Sequence, residues 1–379
     1  MALVIDKRPD NISFAGNPII VKAHTTLSGK TFLRIIAEVS VIATNQNGAY
    51  VHSEKFSYNV ASDGKAVFNV AETVQAAIAA RTDVELEGGT IVQSAASATY
   101  SVVLKEVYLE DMTELTGDVN KTITELTAVM GGLSDYECAV HPSWDAATFI
   151  GDGAVLSRKP DNEVLYGNYP LIVPVAANIT RVMQVSMLKL PSSEAPQKSF
   201  STTVTAWTPS SVSVPVAQLE DGMYELKLTP SARNYTTKKF VRKDVHGRCA
   251  RFLFLNGFGA LESITALTQK IQGYTLSADH YTEGAGIGES ITDVINMGGQ
   301  PNQHIQLTSG LVDRAWADWF ACEFLPSRKV WMLFGSEYLP VAIETDDSLK
   351  LYDESHPDLC EVKFSVRCAF KGSTSSVVK

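Results

Sequence analysis

Phe32–Ile42 reads Phe-Leu-Arg-Ile-Ile-Ala-Glu-Val-Ser-Val-Ile, and this stretch decides the fold class. It is rich in β-branched side chains and alternates in polarity, a pattern that is typical of a half-buried β-strand. Asn45-Gln-Asn-Gly48 follows, and its Asn-Gly pair favours a tight hairpin turn. Tyr50–Val60 is then predicted to be the returning strand, so the two stretches together predict a β-hairpin.

More strands are predicted after this hairpin. Ser62-Asp63-Gly64 is a turn signal, because Asp and Gly tolerate a positive φ. Ala66–Val70 is predicted to be a short strand, Ala71–Arg81 a helix and Ala98–Tyr108 a closing strand. Residues 1–110 are therefore predicted to form a β-sandwich with one helix.

The middle of the chain, residues 111–258, is predicted to combine a helix and loop segment with a second β-sandwich. Glu114–Met130 is predicted to be helical in part, although Gly117 weakens a helix, and Gly131-Gly132 is predicted to end it. The predicted strands of the second sandwich are Pro170–Val175, Arg181–Leu188, Ser199–Trp207, Tyr224–Leu228, Lys239–Arg242 and Ala250–Leu255.

The last segment, residues 259–379, is predicted to be an α+β domain. Leu311–Leu325 is predicted to be a helix, with Thr308 or Ser309 as its N-cap. A hairpin and a strand are predicted to follow. Those strands are Val330–Phe334, Glu337–Thr345 and Glu361–Phe370. The apolar face of the predicted helix consists of Leu311, Ala315, Trp316, Trp319, Phe320 and Phe324.

Chain length and pattern together predict the fold class. At about 150 residues per domain, 379 residues predict two or three domains. An apolar content of 45% is enough for real cores and too much for a disordered chain. The prediction is a mainly β protein with a few helices, containing Ig-like or β-sandwich modules and a C-terminal α+β segment.

Charge and hydropathy exclude several classes of function. The net charge of −10 gives the chain no overall attraction to DNA, so nucleic-acid readout is not expected as its main role. The N-terminus lacks the apolar core of a secretory signal, and no apolar run approaches the ~20 residues that span a bilayer. The chain is therefore expected to fold in a cytoplasm.

The cysteines are expected to be reduced thiols in such a compartment. Their number is odd, and no two of them have the C-x₂₋₄-C spacing of a zinc site. A bridge between Cys360 and Cys368 is not expected, because both lie on one predicted strand. The five are Cys138, Cys249, Cys322, Cys360 and Cys368.

The sequence predicts no catalytic, cofactor-binding or metal-binding residue. Its seven histidines are scattered, and neither HExxH nor G-x-S-x-G is present. Gly284–Ser290 lacks the spacing of a phosphate-binding loop and is interpreted as a plain loop. The acidic residues within Asp346–Asp358 are interpreted as solvated carboxylates, with a bound Ca²⁺ as the alternative. Trp316, Trp319 and Trp331 are predicted to be core residues, with a sugar platform or a protein interface as alternatives.

Three stretches spread along the chain carry a similarity to a known family. The first is Ile12–Ile19 (Ile-Ser-Phe-Ala-Gly-Asn-Pro-Ile), which is followed by the strand Phe32–Ile42. The second is Phe252–Ser263, in which either Ala260 stands where the family has a second glycine or the register is shifted to Gly257 and Gly259. The third is the helix, hairpin and strand within Leu311–Phe370. Together, over roughly a third of the chain, they resemble virion structural proteins of tailed phages and prophages of Bacteroides-type bacteria.

The resemblance implies a tail, baseplate or neck-ring subunit that works by assembling and is not an enzyme. It implies a homo-oligomer, in the form of a ring, that contacts other tail or neck proteins and no membrane. Contact with DNA would be at most non-specific proximity in a channel. The implied location is the virion, after assembly in the host cytoplasm. Ring subunits bury large surfaces against their copies, and a strand at a sheet edge can add to a neighbour's sheet.

Two other classes of function stay open at this point. One is a carbohydrate-binding or adhesion protein, which predicts exposed aromatic side chains at loop tips. The other is a tail-associated glycan hydrolase, which predicts a deep pocket with paired carboxylates. The sequence does not distinguish neck ring, distal tail and baseplate, nor does it give the copy number.

Overall fold

The computed structural model describes residues 3–45, 48–60, 63–80, 83–87, 90–94, 96–117, 119–167, 169–191, 196–230, 236–243, 249–283, 293–335, 337–345 and 360–368. The protein is mainly β with a few helices and several sheets, as predicted. It divides into two units. The first contains Met1–Ser157, Pro170–Phe240 and Asn256–Glu262; the second contains Arg158–Tyr169, Val241–Leu255 and Ser263–Lys379. The three-domain division made from the sequence stays a prediction.

The strands and helices are numbered in chain order. The strands are β1 (Leu3–Lys7), β2 (Ile12–Phe14), β3 (Ile20–Thr25), β4 (Thr31–Asn45), β5 (Gly48–Asn59), β6 (Lys65–Asn69), β7 (Asp83–Glu87), β8 (Thr90–Ser94), β9 (Ser97–Glu110), β10 (Thr113–Thr116), β11 (Lys121–Val129), β12 (Ala154–Val155), β13 (Glu163–Tyr166), β14 (Leu171–Ala176), β15 (Arg181–Leu190), β16 (Lys198–Val204), β17 (Ser210–Val214), β18 (Gly222–Thr229), β19 (Thr236–Lys243), β20 (Cys249–Leu255), β21 (Leu261–Glu283), β22 (Asp293–Val312), β23 (Val330–Phe334), β24 (Glu337–Glu344) and β25 (Cys360–Cys368). The helices are α1 (Ala71–Ala79), α2 (Asp135–Val140), α3 (Ala146–Ile150) and α4 (Arg314–Trp319), and a π-helical turn (Phe320–Phe324) continues α4.

The predicted N-terminal hairpin is confirmed and belongs to the larger of two neighbouring sheets. β4 pairs with β5 from Arg34↔Asn59 to Asn45↔Gly48, in the order β2-β11-β9-β4-β5. The other sheet has the order β1-β3-β6. From Ile35 to Ala43 every second residue of β4 is fully buried, as its alternation predicts, and α1 adds Val74 and Ile78 to the same core. The buried residues of β4 are Ile35, Ala37, Val39, Val41 and Ala43.

The helix predicted within Glu114–Met130 is wrong, because this segment forms β10 and β11 against β9. Its apolar residues recur at intervals of three and four, and that spacing imitates one face of a helix. In the structure, a bulge between Ile123 and Leu126 produces the spacing of three and leaves both side chains buried. Glu125, inside the bulge, has a φ of 62°.

Tyr100 on β9 gives the N-terminal core a pH dependence. Its side chain is buried, and desolvation raises its pKa to about 12, well above the usual value of 10.0. Between pH 10 and 12 the unfolded chain loses this proton while the folded chain keeps it. Stability should therefore fall by about 1.4 kcal/mol per pH unit in this window. Chemical denaturation of Tyr100→Phe at several pH values should show this one-proton slope removed; an unchanged slope would contradict the assignment.

The strands predicted within residues 170–230 are also confirmed. β14 lies between β12 and β17 and is buried along its whole length. β15 lies between β18 and β16, with Val185 paired to Leu228 on one side and to Phe200 on the other. Both sets are antiparallel, so this part of the first unit is β-rich, in agreement with the predicted strand series.

The second unit contains a closed barrel with the strand order β20-β21-β22-β25-β24-β23. The predicted hairpin β23–β24 is confirmed, and β25 alternates between buried and exposed residues as predicted. Aromatic side chains fill its core. Phe324 contacts the rings of Phe252, Phe254, Phe320 and Phe364 at centroid distances of 5.2–5.7 Å.

The predicted start of the helix Leu311–Leu325 is wrong by three residues. The α-helix begins at Arg314, because residues 311 and 312 extend β22 and pair with β25. Leu311 is consequently 73% exposed and is not part of the apolar face. The N-cap is neither Thr308 nor Ser309 but Asp313, whose Oδ1 accepts a hydrogen bond from the backbone N–H of Trp316 at 2.9 Å.

The tryptophan predictions are confirmed in the main. Trp316 and Trp319 are buried in the core of the second unit, and their ring centroids lie 5.4 Å apart. Trp331 on β23 is only half-buried. Since the first two rings are enclosed, they do not form the sugar platform that was the alternative.

Candidate assembly surface

The longest strands of the protein, β21 and β22, form an antiparallel hairpin that was not predicted from the sequence. At one end both strands belong to the barrel, where β22 pairs with β25 from His304 onward. Beyond that point, within the described residues, the strands continue as a pair, from Gly273↔His304 to Glu283↔Asp293. We call Gly273–Glu283 together with Asp293–Gln303 the arm.

The arm is long, and its outer edges are unpaired in the part of the chain that the structure describes. At about 3.4 Å per residue, Gly273–Glu283 spans roughly 35 Å. β20, the other neighbour of β21, has only seven residues, and the described part of β25 does not reach the arm. Among the described residues, the backbone N–H and C=O groups on the outer sides of the arm strands therefore have no ladder partner. A two-stranded hairpin of this kind is marginally stable in water by itself.

The charged residues of the arm are all acidic. Between Lys270 and Arg314 the sequence contains no Lys or Arg, whereas Asp279, Glu283 and Asp293 are acidic. Protein sheet edges are commonly protected from association by lysines, and this hairpin has none. The missing lysines and the free edges together make the arm a candidate surface for contact with another chain.

Sequence patterning missed the arm for identifiable reasons. Gly298, Gly299 and Pro301 are turn signals, and they stand inside β22. A register shift between Ala278 and His280 also breaks the alternation of the hairpin. The feature that could have predicted a strand here is the mixed polar run from Gly273 to Thr282, which has β-forming residues and no charged residue except Asp279.

The segment that precedes β21 is the second stretch of the family resemblance, and its asparagine is the centre of a buried hydrogen-bond network. Asn256 Oδ1 accepts from the backbone N–H groups of Phe258 and Ala260 at 3.0 and 3.1 Å. Its Nδ2 donates to the Leu156 carbonyl at 2.6 Å and to Glu262 Oε2 at 3.1 Å. This asparagine thus closes the turn and attaches it to the preceding part of the first unit.

Glycine is required where this turn meets the end of β11. Gly131 has a φ of 84°, and a Cβ atom there would overlap the Cα of Phe258. Gly259 has a φ of 65°, and a Cβ atom there would overlap Met130. The predicted helix stop at Gly131-Gly132 is therefore a close approach between two backbones, not a helix C-cap. Glycine at both positions therefore permits close packing between the turn and the end of β11.

Several sequence features contribute no site in the described structure. Gly284–Ser290 lies outside the described residues, and so does the acidic cluster within Asp346–Asp358. Among the residues that are described, no group of three or more His, Cys, Asp or Glu side chains could hold a metal ion. Cys138, Cys249, Cys322 and Cys360 are free thiols. No helix in the described ranges has the length and apolar character needed to cross a membrane.

Comparison with known proteins gives no family for this chain. No family model matches the sequence, and no curated protein matches it. Among solved structures, the chain is similar to Salmonella alpha-2-macroglobulin reacted with methylamine, at 11% sequence identity and a TM-score of 0.21. The match covers 83% of this chain and 22% of that chain, so this chain spans less than a quarter of that protein's length. A TM-score this low carries no argument about fold or function.

Proposed function

We propose that the chain is a structural subunit of a tailed-phage particle, in a tail, baseplate or neck ring, and that it acts by assembling with copies of itself. The observation that carries the assembly role is the arm, whose strands pair only with each other in the described structure. Its assignment to a phage particle rests on the family resemblance of the three stretches. Under this proposal the chain has no catalytic role, and its location is the virion after assembly in the host cytoplasm.

Backbone hydrogen bonding supports the arm as the contact between copies. Each outer edge of the hairpin, unpaired among the described residues, offers a row of N–H and C=O groups, and a strand from a neighbour can pair with such a row. The two edges differ, because β22 contains Pro301, which cannot donate a hydrogen bond, and β21 contains no proline. Contact between unlike edges is heterologous, and heterologous contacts repeated by rotation close into rings.

The charge of the arm fits a ring around DNA. With acidic residues and no Lys or Arg between 271 and 313, the hairpin would repel the phosphate backbone and leave DNA free to slide. The proposed partners are therefore other copies and neighbouring tail or neck proteins, with at most non-specific proximity to DNA. A channel wall found to be positively charged would refute this part of the proposal.

Removing the arm tests the assembly role. In the variant, an Asn-Gly turn replaces residues 274–303, so that Gly273 and His304, which are register partners, are joined by a short hairpin. The intact chain is expected to form rings in negative-stain images and to increase in mass with concentration in analytical ultracentrifugation. The variant is expected to stay monomeric. Its far-UV circular dichroism, normalised to the strand residues that it keeps, is expected to match that of the intact chain.

The controls separate lost assembly from lost folding. The Leu311→Ser variant changes an exposed residue of β22 outside the arm and should assemble like the intact chain. If the variant without the arm still forms rings, the arm is not the contact. If the intact chain is monomeric at all concentrations and is absent from virions of a phage that encodes it, the proposed function itself fails.

A further inference from the structure

An open cavity of about 640 Å³ lies at one end of the N-terminal sheets. One wall is the β3–β4 connection, which contains Ser28. The other is formed by residues on either side of the β5–β6 connection, including Asn59 and Asp63. Its volume is within the range of about 300–1,000 Å³ that small-molecule sites occupy. Neither the sequence motifs nor the assembly proposal accounts for it.

Backbone hydrogen bonds hold the walls of this cavity in place. The Thr25 N–H donates to the Gly64 carbonyl at 2.9 Å, and the Val60 N–H donates to the Leu33 carbonyl at 3.0 Å. Thr25 Oγ1 also donates to the carboxylate of Glu106, which is 1% exposed. The cavity is therefore formed before any ligand binds, which lowers the entropy cost of binding.

Phe32 at the rim of the cavity is held in an unusual state. It is 76% exposed and has a φ of 51°, a left-handed conformation that is rare for a bulky side chain. It lies where the register between β4 and β9 breaks, between Thr31 and Arg34. Backbone strain of this kind concentrates at functional sites, because it persists only where the surroundings enforce it. Here it leaves most of an aromatic side chain exposed beside polar groups.

The polar groups of the cavity define the class of ligand. Ser28, Asn59 and Asp63 provide a hydroxyl, an amide and a carboxylate, and these groups bind hydroxyl groups well. The one lysine in the lining, Lys30, is paired with Glu110 at 2.9 Å and lies 4.5 Å from the Tyr108 ring centroid. Its charge is therefore compensated, so an anionic ligand such as a phosphate is disfavoured.

We propose that this cavity binds a neutral oligosaccharide, with one sugar ring stacked on Phe32 and its hydroxyl groups hydrogen-bonded to Asn59 and Asp63. The C–H groups on one face of a pyranose ring complement the negative face of an aromatic ring. The site lies far along the chain from the arm and is independent of the assembly proposal. It would let a subunit that assembles into a particle also contact a cell-surface or capsular glycan.

The test uses the full chain on a printed array of neutral and acidic oligosaccharides, followed by calorimetry with the neutral oligosaccharide that is retained best. Phe32→Gly should weaken binding by about tenfold, the equivalent of one aromatic contact. It should also raise the melting temperature, because glycine tolerates a positive φ. Phe32→Tyr, which keeps the ring, should bind like the original chain.

Met112→Gly is the matched control. Met112 is 96% exposed with a φ of 64°, so this substitution also relieves strain and removes an exposed apolar side chain, but it is not part of the cavity lining. It should raise the melting temperature and leave glycan binding unchanged. The proposal is overturned if no neutral oligosaccharide is retained, if only acidic ones are, or if Phe32→Gly and Met112→Gly bind equally well.

Discussion

Gly131→Ala is expected to lower the free energy of unfolding by at least about 4 kcal/mol. Two costs combine at this position. The φ of 84° is unfavourable for any residue with a Cβ atom, and the new Cβ would overlap the backbone of Phe258. Because the overlap is with backbone, no side-chain rotation relieves it, and the turn that contains Phe258 must move. Urea unfolding followed by circular dichroism measures the loss.

Gly29→Ala is the control that separates the two costs. Gly29 lies in the same unit with a φ of 71°, but a Cβ atom there would have no atom within 4 Å. Its substitution should cost about 1–2 kcal/mol, the conformational cost alone. Equal losses for the two variants would show that the close approach between Gly131 and Phe258 contributes nothing.

Asn256→Ala is expected to cost about 3–5 kcal/mol, because it leaves several buried polar groups unsatisfied. Asn256 is 7% exposed, and its side chain makes four hydrogen bonds. Without it, the N–H groups of Phe258 and Ala260 and the carbonyl of Leu156 lose a partner away from water. Glu262, which is 1% exposed, keeps Ser157 as a donor and loses the amide.

The matched control for this variant is Asn11→Ala. Asn11 is exposed, and its side-chain oxygen accepts a hydrogen bond from Arg8 at 2.9 Å. Since solvent can replace that partner, the substitution should change stability by less than about 0.5 kcal/mol. The urea unfolding midpoints of the two variants, compared at equal m-value, give the difference in their stability. A loss of less than 1 kcal/mol for Asn256→Ala would refute the network's role as the attachment of the turn.

The two positions explain how the turn within Phe252–Ser263 is held in place. Its asparagine closes the turn, and Gly259 permits contact with Met130. Ala260 is fully buried, and a Cβ atom is accommodated there because its φ is not left-handed. In the structure, this turn is therefore held by close packing and by the hydrogen bonds of Asn256.

Local pattern was sufficient where a strand buries one face and exposes the other. β4, β5 and β25 were predicted within a few residues, since alternation of polarity directly encodes which side chains enter the core. The β4–β5 hairpin was equally predictable, because its two strands are consecutive and Asn45 pairs with Gly48. The mainly β class follows from these elements alone.

Tertiary structure decided the elements whose pattern is ambiguous or interrupted. In β11 a bulge gave helical spacing to a strand, and only pairing with β9 selects between the two. In β22 the ladder carries glycines and a proline that locally signal a turn. The exposed ring of Phe32 likewise depends on where β4 and β9 lose register. The amino-acid sequence by itself determined which residues are buried in a core. Backbone pairing determined the arm and the cavity, because a strand ladder can include turn-forming residues and register breaks that local pattern does not reveal.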